Sequence, residues 1–307
     1  MTPDREGFIN ILKPPGMTSH DVVGYLRRLL SLKRIGHTGT LDPQAAGVLP
    51  VCLGRATRLS AWASEQRKGY RAELTLGWNT DTEDAWGTPQ ECLPAGTVQE
   101  RATEEQIRRV LTEFVGPIWQ KPPMVSAVRH RGRKLYEWAR EGVVVERPSR
   151  EVYIYSLELL ASQIDSQGYP TMLLEATCSK GTYIRTLCAD IGQRLRVGGH
   201  LSYLLRTFSG PFTLKDAVTL EETLAAENDK KIGTLLKPLD FVLGDLPRMD
   251  LDQDHTELFF QGQPAGDSED GFDEETWIRI YAPHGQFIGL GQNRDGQIWP
   301  RRVFHKE

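Results

Sequence analysis

The run Gly36-His37-Thr38-Gly39-Thr40-Leu41-Asp42-Pro43-Gln44-Ala45-Ala46-Gly47 sets one carboxylate among three glycines and a proline. Glycine lets the backbone turn through positive φ and lets a ligand approach closely. Pro43 holds the residue before it in an extended or turn conformation. Asp42 is therefore presented on a stiff, crowded loop, where a lone carboxylate can act as a nucleophile or stabilise a cation. Cys52, Cys92, Cys178 and Cys188 lie far apart, with no C-x-x-C pair and no histidine cluster at ligand spacing, so no metal site is expected. Well-spaced free cysteines fit a reduced, cytoplasmic setting.

The elements that must carry this loop follow from periodicity. The apolar run 8–12, ended by Lys13-Pro14-Pro15-Gly16, reads as a strand entering a turn. Thr18 or Ser19 can cap a helix over 20–31, where Val22, Val23, Leu26, Leu29 and Leu30 recur at helical spacing. A strand over 49–53 and a helix over 55–64 follow the Asp42 loop. Tyr70, Ala72, Leu74 and Leu76 alternate with Arg71, Glu73 and Thr75, which predicts a half-buried strand over 69–77. Residues 103–115 form an amphipathic helix with a Thr103–Gln106 capping box. Strands over 153–160 and 171–178 precede a helix over 183–195. This mixed order predicts an α+β domain with a largely antiparallel central sheet and flanking helices. A boundary near 244–247 separates it from a small β-rich unit with strands over 277–281, 287–291 and 297–300. The expected units are thus 1–246 and 247–307.

The 307 residues hold 39% hydrophobic and 25% charged residues, an ordinary soluble composition. No apolar stretch reaches membrane-spanning length, and the first ten residues lack the apolar core of a secretory signal. The net charge of −4 is unevenly placed. Residues 247–307 carry a balance of −6, with six acids between Asp267 and Glu275, whereas 1–80 and 119–150 each carry +5. Basic stretches therefore flank the candidate loop, as a nucleic-acid partner would require.

The Asp42 loop resembles the G-x-L-D-P loop of the pseudouridine synthases, and in its fuller form G-H-T-G-T-L-D-P the TruB branch that modifies the T loop of tRNA. Four further blocks agree in order. Lys13-Pro14-Pro15-Gly16-Met17-Thr18-Ser19 resembles the opening K-P-x-G-x-T-S. Tyr70-Arg71-Ala72 with Gly77 and Thr80-Asp81-Thr82-Glu83-Asp84 is similar to Y-x-A…L-G…T-D-T-x-D. Lys121-Pro122-Pro123-Met124-Val125-Ser126-Ala127 with Gly132-Arg133-Lys134-Leu135-Tyr136 resembles a basic insertion. Cys178-Ser179-Lys180-Gly181-Thr182-Tyr183-Ile184-Arg185 completes the set. Trp86 departs from the pattern, standing where the family commonly has a second acid.

The resemblance implies a pseudouridine synthase fold with a PUA-like C-terminal unit, acting on uridine 55 in the tRNA T stem-loop. It implies Asp42 as the catalytic carboxylate, Arg185 as its partner and Tyr70 as the ring that stacks on the target base. Lys13, His37, Arg58, Asp84, Tyr183 and Leu204 are implied on the substrate side. A guanidinium beside the carboxylate favours its ionised form. Isomerisation of uridine exchanges no electrons and adds no atoms, so no cofactor or metal is needed. The base must first leave its stack, and the basic 119–150 insertion suits a grip on an RNA loop. A monomer is the default. Two alternatives stay open: a guide-RNA-dependent synthase subunit, and a tRNA-binding or tRNA-folding protein without turnover. A glycoside hydrolase would need two flanking carboxylates.

Overall fold

The computed structural model describes residues 5–126, 128–266 and 271–305. Ala127 of the insertion motif and the Asp267–Asp270 portion of the acidic run lie outside the described residues. A nine-stranded sheet runs in the order Gly7–Lys13, Ala46–Leu53, Gly199–Ser209, Lys68–Leu76, Pro170–Cys178, Arg150–Ile164 and Gly116–Gln120. Ile35–His37 pairs with Ala46–Leu53, and Phe212–Thr213 pairs with Gly199–Ser209. Pairing is antiparallel except where Leu205 and Arg206 run parallel to Ala46 and Gly47. The expected α+β class and largely antiparallel sheet are thus observed.

Alternation explains why the strands nearest the Asp42 loop read as continuous apolar runs. Ile9, Ile11, Leu49, Val51 and Leu53 point into the main core beneath the helix Ser19–Leu30. Phe8, Val48 and Cys52 point the opposite way, into a second core with Phe212, Leu290 and Phe304. Strands covered on both faces read as near-continuous apolar runs. The helix Ser19–Leu30 is capped by Thr18, whose hydroxyl accepts from the Asp21 amide while Asp21 accepts from the Thr18 amide. Ser19, the other candidate cap, instead exchanges hydrogen bonds with the Leu41 backbone at 2.8 and 3.1 Å and ties this helix to the Asp42 loop.

The Thr103–Gln106 capping box opens the helix Glu104–Glu113, as its pattern predicts. The helix expected over 55–64 differs. Gly54–Leu59 is a 3₁₀ segment followed by a short α-helix, Ser60–Glu65. Thr57 donates its hydroxyl to the Gly54 carbonyl at 2.8 Å, and such local bonding competes with the regular helical ladder. The insertion holds a two-stranded hairpin, Arg129–His130 with Arg133–Lys134, and the helix Leu135–Arg140.

The C-terminal unit is a four-stranded sheet, Arg248–Asp250, Trp277–Ala282, Gln286–Arg294 and Gln297–Val303, with the helix Gln253–Phe260. Its own core contains Phe259, Ile278, Ile280, Ile288 and Ile298. Leu290 and Phe304 reach across to the second core, and Trp62 meets Trp277 edge-on at 5.2 Å.

One glycine allows the central strands to meet. Gly47 has φ +112°, and a Cβ there would lie 2.3 Å from the Arg206 carbonyl oxygen. Gly47→Ala should destabilise the protein by about 3 kcal/mol in urea unfolding, through strain and a backbone clash that no rotamer relieves.

Candidate active site

The Asp42 loop is held from below by the 13–19 turn. The Lys13 ammonium is fully buried and donates to the carbonyls of Pro14, Met17 and Pro43 at 2.8, 2.6 and 3.0 Å. The Gly16 amide donates to the same Pro43 carbonyl, and the Ala45 amide closes a turn onto the Asp42 carbonyl. Burial pulls the Lys13 ammonium down to about 8, against the attraction of Asp42. Lys13 is thus placed to shape the loop from beneath and does not line the cavity beside it.

Arg185 sits in the first turn of the helix Ile184–Arg194 and is 3% exposed. Its Nε lies 2.9 Å from Asp42 Oδ2 and its Nη2 lies 3.3 Å from Oδ1, a two-point fork. The remaining donors are also committed: Nη1 donates to the Thr82 carbonyl at 3.0 Å and Nη2 to the Val125 carbonyl at 2.8 Å. Asp84 Oδ2 stands 3.6 Å from Nη1, and Asp84 Oδ1 accepts from the Thr82 hydroxyl and the Trp86 amide. The Asp42 side chain, by contrast, is 42% exposed. The arginine is fixed, and the carboxylate it aims faces open space.

That space is a cavity of about 410 Å³, lined by Asp42, Tyr70, Tyr183, Arg185 and Leu204 among others. Its volume falls within the ~300–1,000 Å³ usual for small-ligand sites. Hollows of about 510 Å³ beside Lys230 and Lys237 and about 700 Å³ beside Arg109 and Arg194 are more open and contain no such grouping. Tyr70 is buried on the strand Lys68–Leu76, and burial pushes its phenol up to about 12. It therefore meets a ligand as a neutral ring with a polar tip. Leu204 comes from the neighbouring strand, opposite Ala72. Tyr183 is fixed through its backbone. Its amide donates to Gln120 Oε1 at 2.9 Å, and its carbonyl accepts from Gln120 Nε2 at 3.1 Å.

Of the six residues expected on the substrate side, Lys13, Asp84, Arg58 and His37 do not line the cavity. Arg58 donates to the Val303 carbonyl at 2.7 Å and lies 4.8 Å above the Phe304 ring, so it joins the C-terminal strand to the body rather than lining the cavity. His37 ends the strand Ile35–His37, beside the cavity-lining Thr38. Its Nδ1 is buried without a partner among the described residues, and burial, aided by Arg206, lowers its pKa. Among those residues no group of three or more His, Cys, Asp and Glu side chains is placed to hold a metal ion.

Lys68, Arg206 and Gln120 were missed in the sequence although a signal existed for the first two. Lys68 continues the inward phase of Tyr70 and Ala72, and Arg206 that of Leu204, so each is a charge at a core-facing strand position. Gln120 ends a strand of mixed exposure and carried no such mark.

A sheet-borne tyrosine, a looped aspartate and a helix-borne arginine thus converge on one cavity, and comparison with known proteins gives the family of the chain. Residues 27–184 match the model of the TruB family pseudouridylate synthase N-terminal domain. Residues 185–244 match the tRNA pseudouridylate synthase B C-terminal domain, and 247–304 the pseudouridine synthase II TruB C-terminal domain. The chain belongs to the TruB family of pseudouridylate synthases and is thus an isomerase. A relative from Symbiobacterium thermophilum, named tRNA pseudouridine synthase B, is 51% identical over 244 residues, 80% of this chain and 78% of the relative. A protein of the same name from Caldanaerobacter subterraneus is 42% identical over 97% of this chain and 99% of its own. Among solved structures, a Cbf5-Nop10-Gar1 complex contains a chain with TM-score 0.74 and 26% identity, covering 98% of this chain and 86% of that one.

Two measurements probe the positioning. Arg185→Lys keeps the charge but not the fork, and should lower turnover about 100-fold while RNA affinity in filter binding stays within a few-fold. Gln120→Ala should cost about 1–3 kcal/mol locally and speed hydrogen exchange at the Tyr183 amide.

Proposed function

We propose that the protein converts uridine 55 in the tRNA T loop to pseudouridine, with Asp42 as the catalytic carboxylate and without metal or guide RNA. The observation that carries this reading is the two-point Arg185 fork on an Asp42 carboxylate that faces a cavity walled by Tyr70, Tyr183 and Leu204. The names of the two relatives described above supply tRNA as the substrate class. The resemblance of the Asp42 loop to G-H-T-G-T-L-D-P supplies the T loop.

In this reading the uridine leaves its stack, at a cost of a few kcal/mol, and its base lies against Tyr70 between Tyr183 and Leu204. Stacking on one ring returns roughly 1–3 kcal/mol. Arg185 points the Asp42 carboxylate at the nucleoside, where it acts as nucleophile on the sugar carbon. The unit over 1–246 carries this chemistry. The basic 119–150 insertion grips the loop, and the Val125 carbonyl links that grip to Arg185. The working form is a monomer.

Purified protein alone should convert a tRNA transcript, with pseudouridine mapped to position 55 and none formed when that base is cytidine. Asp42→Asn should abolish turnover and leave tRNA binding within a few-fold. The fold likeness to the Cbf5 chain supports one competing reading, a guide-dependent subunit. Activity that appears only with added guide RNA and partner proteins would decide for it.

A further inference from the structure

Lys68 and Arg206 line the same cavity, and nothing above employs them. Lys68 lies two residues before Tyr70 on one strand, and Arg206 stands opposite Tyr70 in the adjoining strand. Both are buried, at 7% and 1% exposure. Lys68 donates to the carbonyls of Ser64 and Gln66, each at 2.9 Å. Arg206 donates to the carbonyls of Val48 and Gly39 at 2.6 and 3.2 Å.

None of these partners carries charge. Among the described residues neither cation has a carboxylate within 4.0 Å, and Glu65, whose field reaches Lys68, is paired with Lys180. Burying one charge without an opposite partner is costly, and two of the same sign side by side raise the cost. A fold that keeps such a pair on a cavity wall is arranged for an anion.

The proposed isomerisation, on which this inference rests, creates one at that place. Heterolysis of N1–C1′ sends the bonding electron pair to N1, so the base becomes a uracil monoanion while the Asp42 carboxylate takes up C1′. The anion turns, C5 bonds to C1′, and the Asp42 oxygen leaves. C5 then gives up its proton and N1 gains one, so composition is unchanged. The aromatic walls offer this anion no countercharge. A backbone phosphate, flanked by two sugars, cannot reach groups as enclosed as these, whereas a flat free base can.

We propose that Lys68 and Arg206 form an anion site for the detached uracil, holding the negative charge that develops on the base as its glycosidic bond breaks. Preorganised donors aimed at developing charge are a major source of rate enhancement in enclosed sites. Burial is the main force drawing the Lys68 ammonium down to about 8; Arg206 and Lys180 add to it, while Cys178 and Glu65 oppose it. In the free enzyme the charged form is therefore lost as pH rises through about 8.

The test uses full-length protein and tRNA transcripts under single-turnover conditions, reading loss of the N-glycosidic linkage at position 55. Lys68→Met should slow this step about 100-fold with the tRNA Kd changed by no more than about threefold. Lys68→Arg, whose charge persists, should recover most of the rate and lose the alkaline limb near pH 8. With 5-fluorouracil as the target base, whose anion is intrinsically more stable, the Lys68→Met defect should shrink about tenfold. Arg206→Lys, which withdraws the planar donor pair, should show the same dependence on the base. Equal losses on both bases, or a loss seen wholly in Kd, would overturn the anion site. Failure of the unmodified protein to act on uridine would instead overturn the proposed function.

Discussion

The contact between Arg185 and Asp42 is the constraint around which the rest is organised. It joins residues 143 positions apart, one on a loop between strands and the other on the helix that leads into the strand Gly199–Ser209. An arginine this deeply buried needs every donor met, because removing one partner of a buried pair leaves an uncompensated charge. The Thr82 and Val125 carbonyls accept from it, and the Asp84 carboxylate adds a second negative charge 3.6 Å away. They also make the guanidinium a junction of four chain segments. A shift in any of them would move the carboxylate, and a small error in aim is costly when reacting atoms must be held near contact distance.

Most of the scaffold was legible from pattern. The inward phase of Tyr70, Ala72 and Leu74 marked its strand because side chains alternate strictly across a sheet. The Thr103–Gln106 box marked its helix start because both partners lie within one turn. The 3₁₀ stretch Gly54–Leu59 escaped notice, since the Thr57 hydroxyl bond that competes with the helix leaves apolar spacing unchanged. The strand Arg248–Asp250 is only three residues long and is recognisable through its pairing with Arg279–Tyr281.

The site divides similarly. Asp42, Tyr70 and Arg185 stood within motifs, and the structure brings them together. Arg58 sat in a plausible place by order along the chain, yet its direction depends on Val303 and Phe304, 245 residues onward for the hydrogen bond. Gln120 owes its importance to the Tyr183 backbone, a partner that no side-chain pattern records. Lys68 and Arg206 give the cavity wall an excess of positive charge opposite the one paired carboxylate, a polarity that composition averaged over the chain conceals.

The C-terminal sheet covers the face of the body that carries Phe8, Val48, Cys52 and Phe212, and completes their core with Leu290 and Phe304. That face is the reverse side of the strands leading into and out of the Asp42 loop. Severing the chain near residue 247 would take Leu290 and Phe304 out of that core. Through Leu290 and Phe304 the C-terminal sheet therefore forms part of the wall behind the strands that carry the loop.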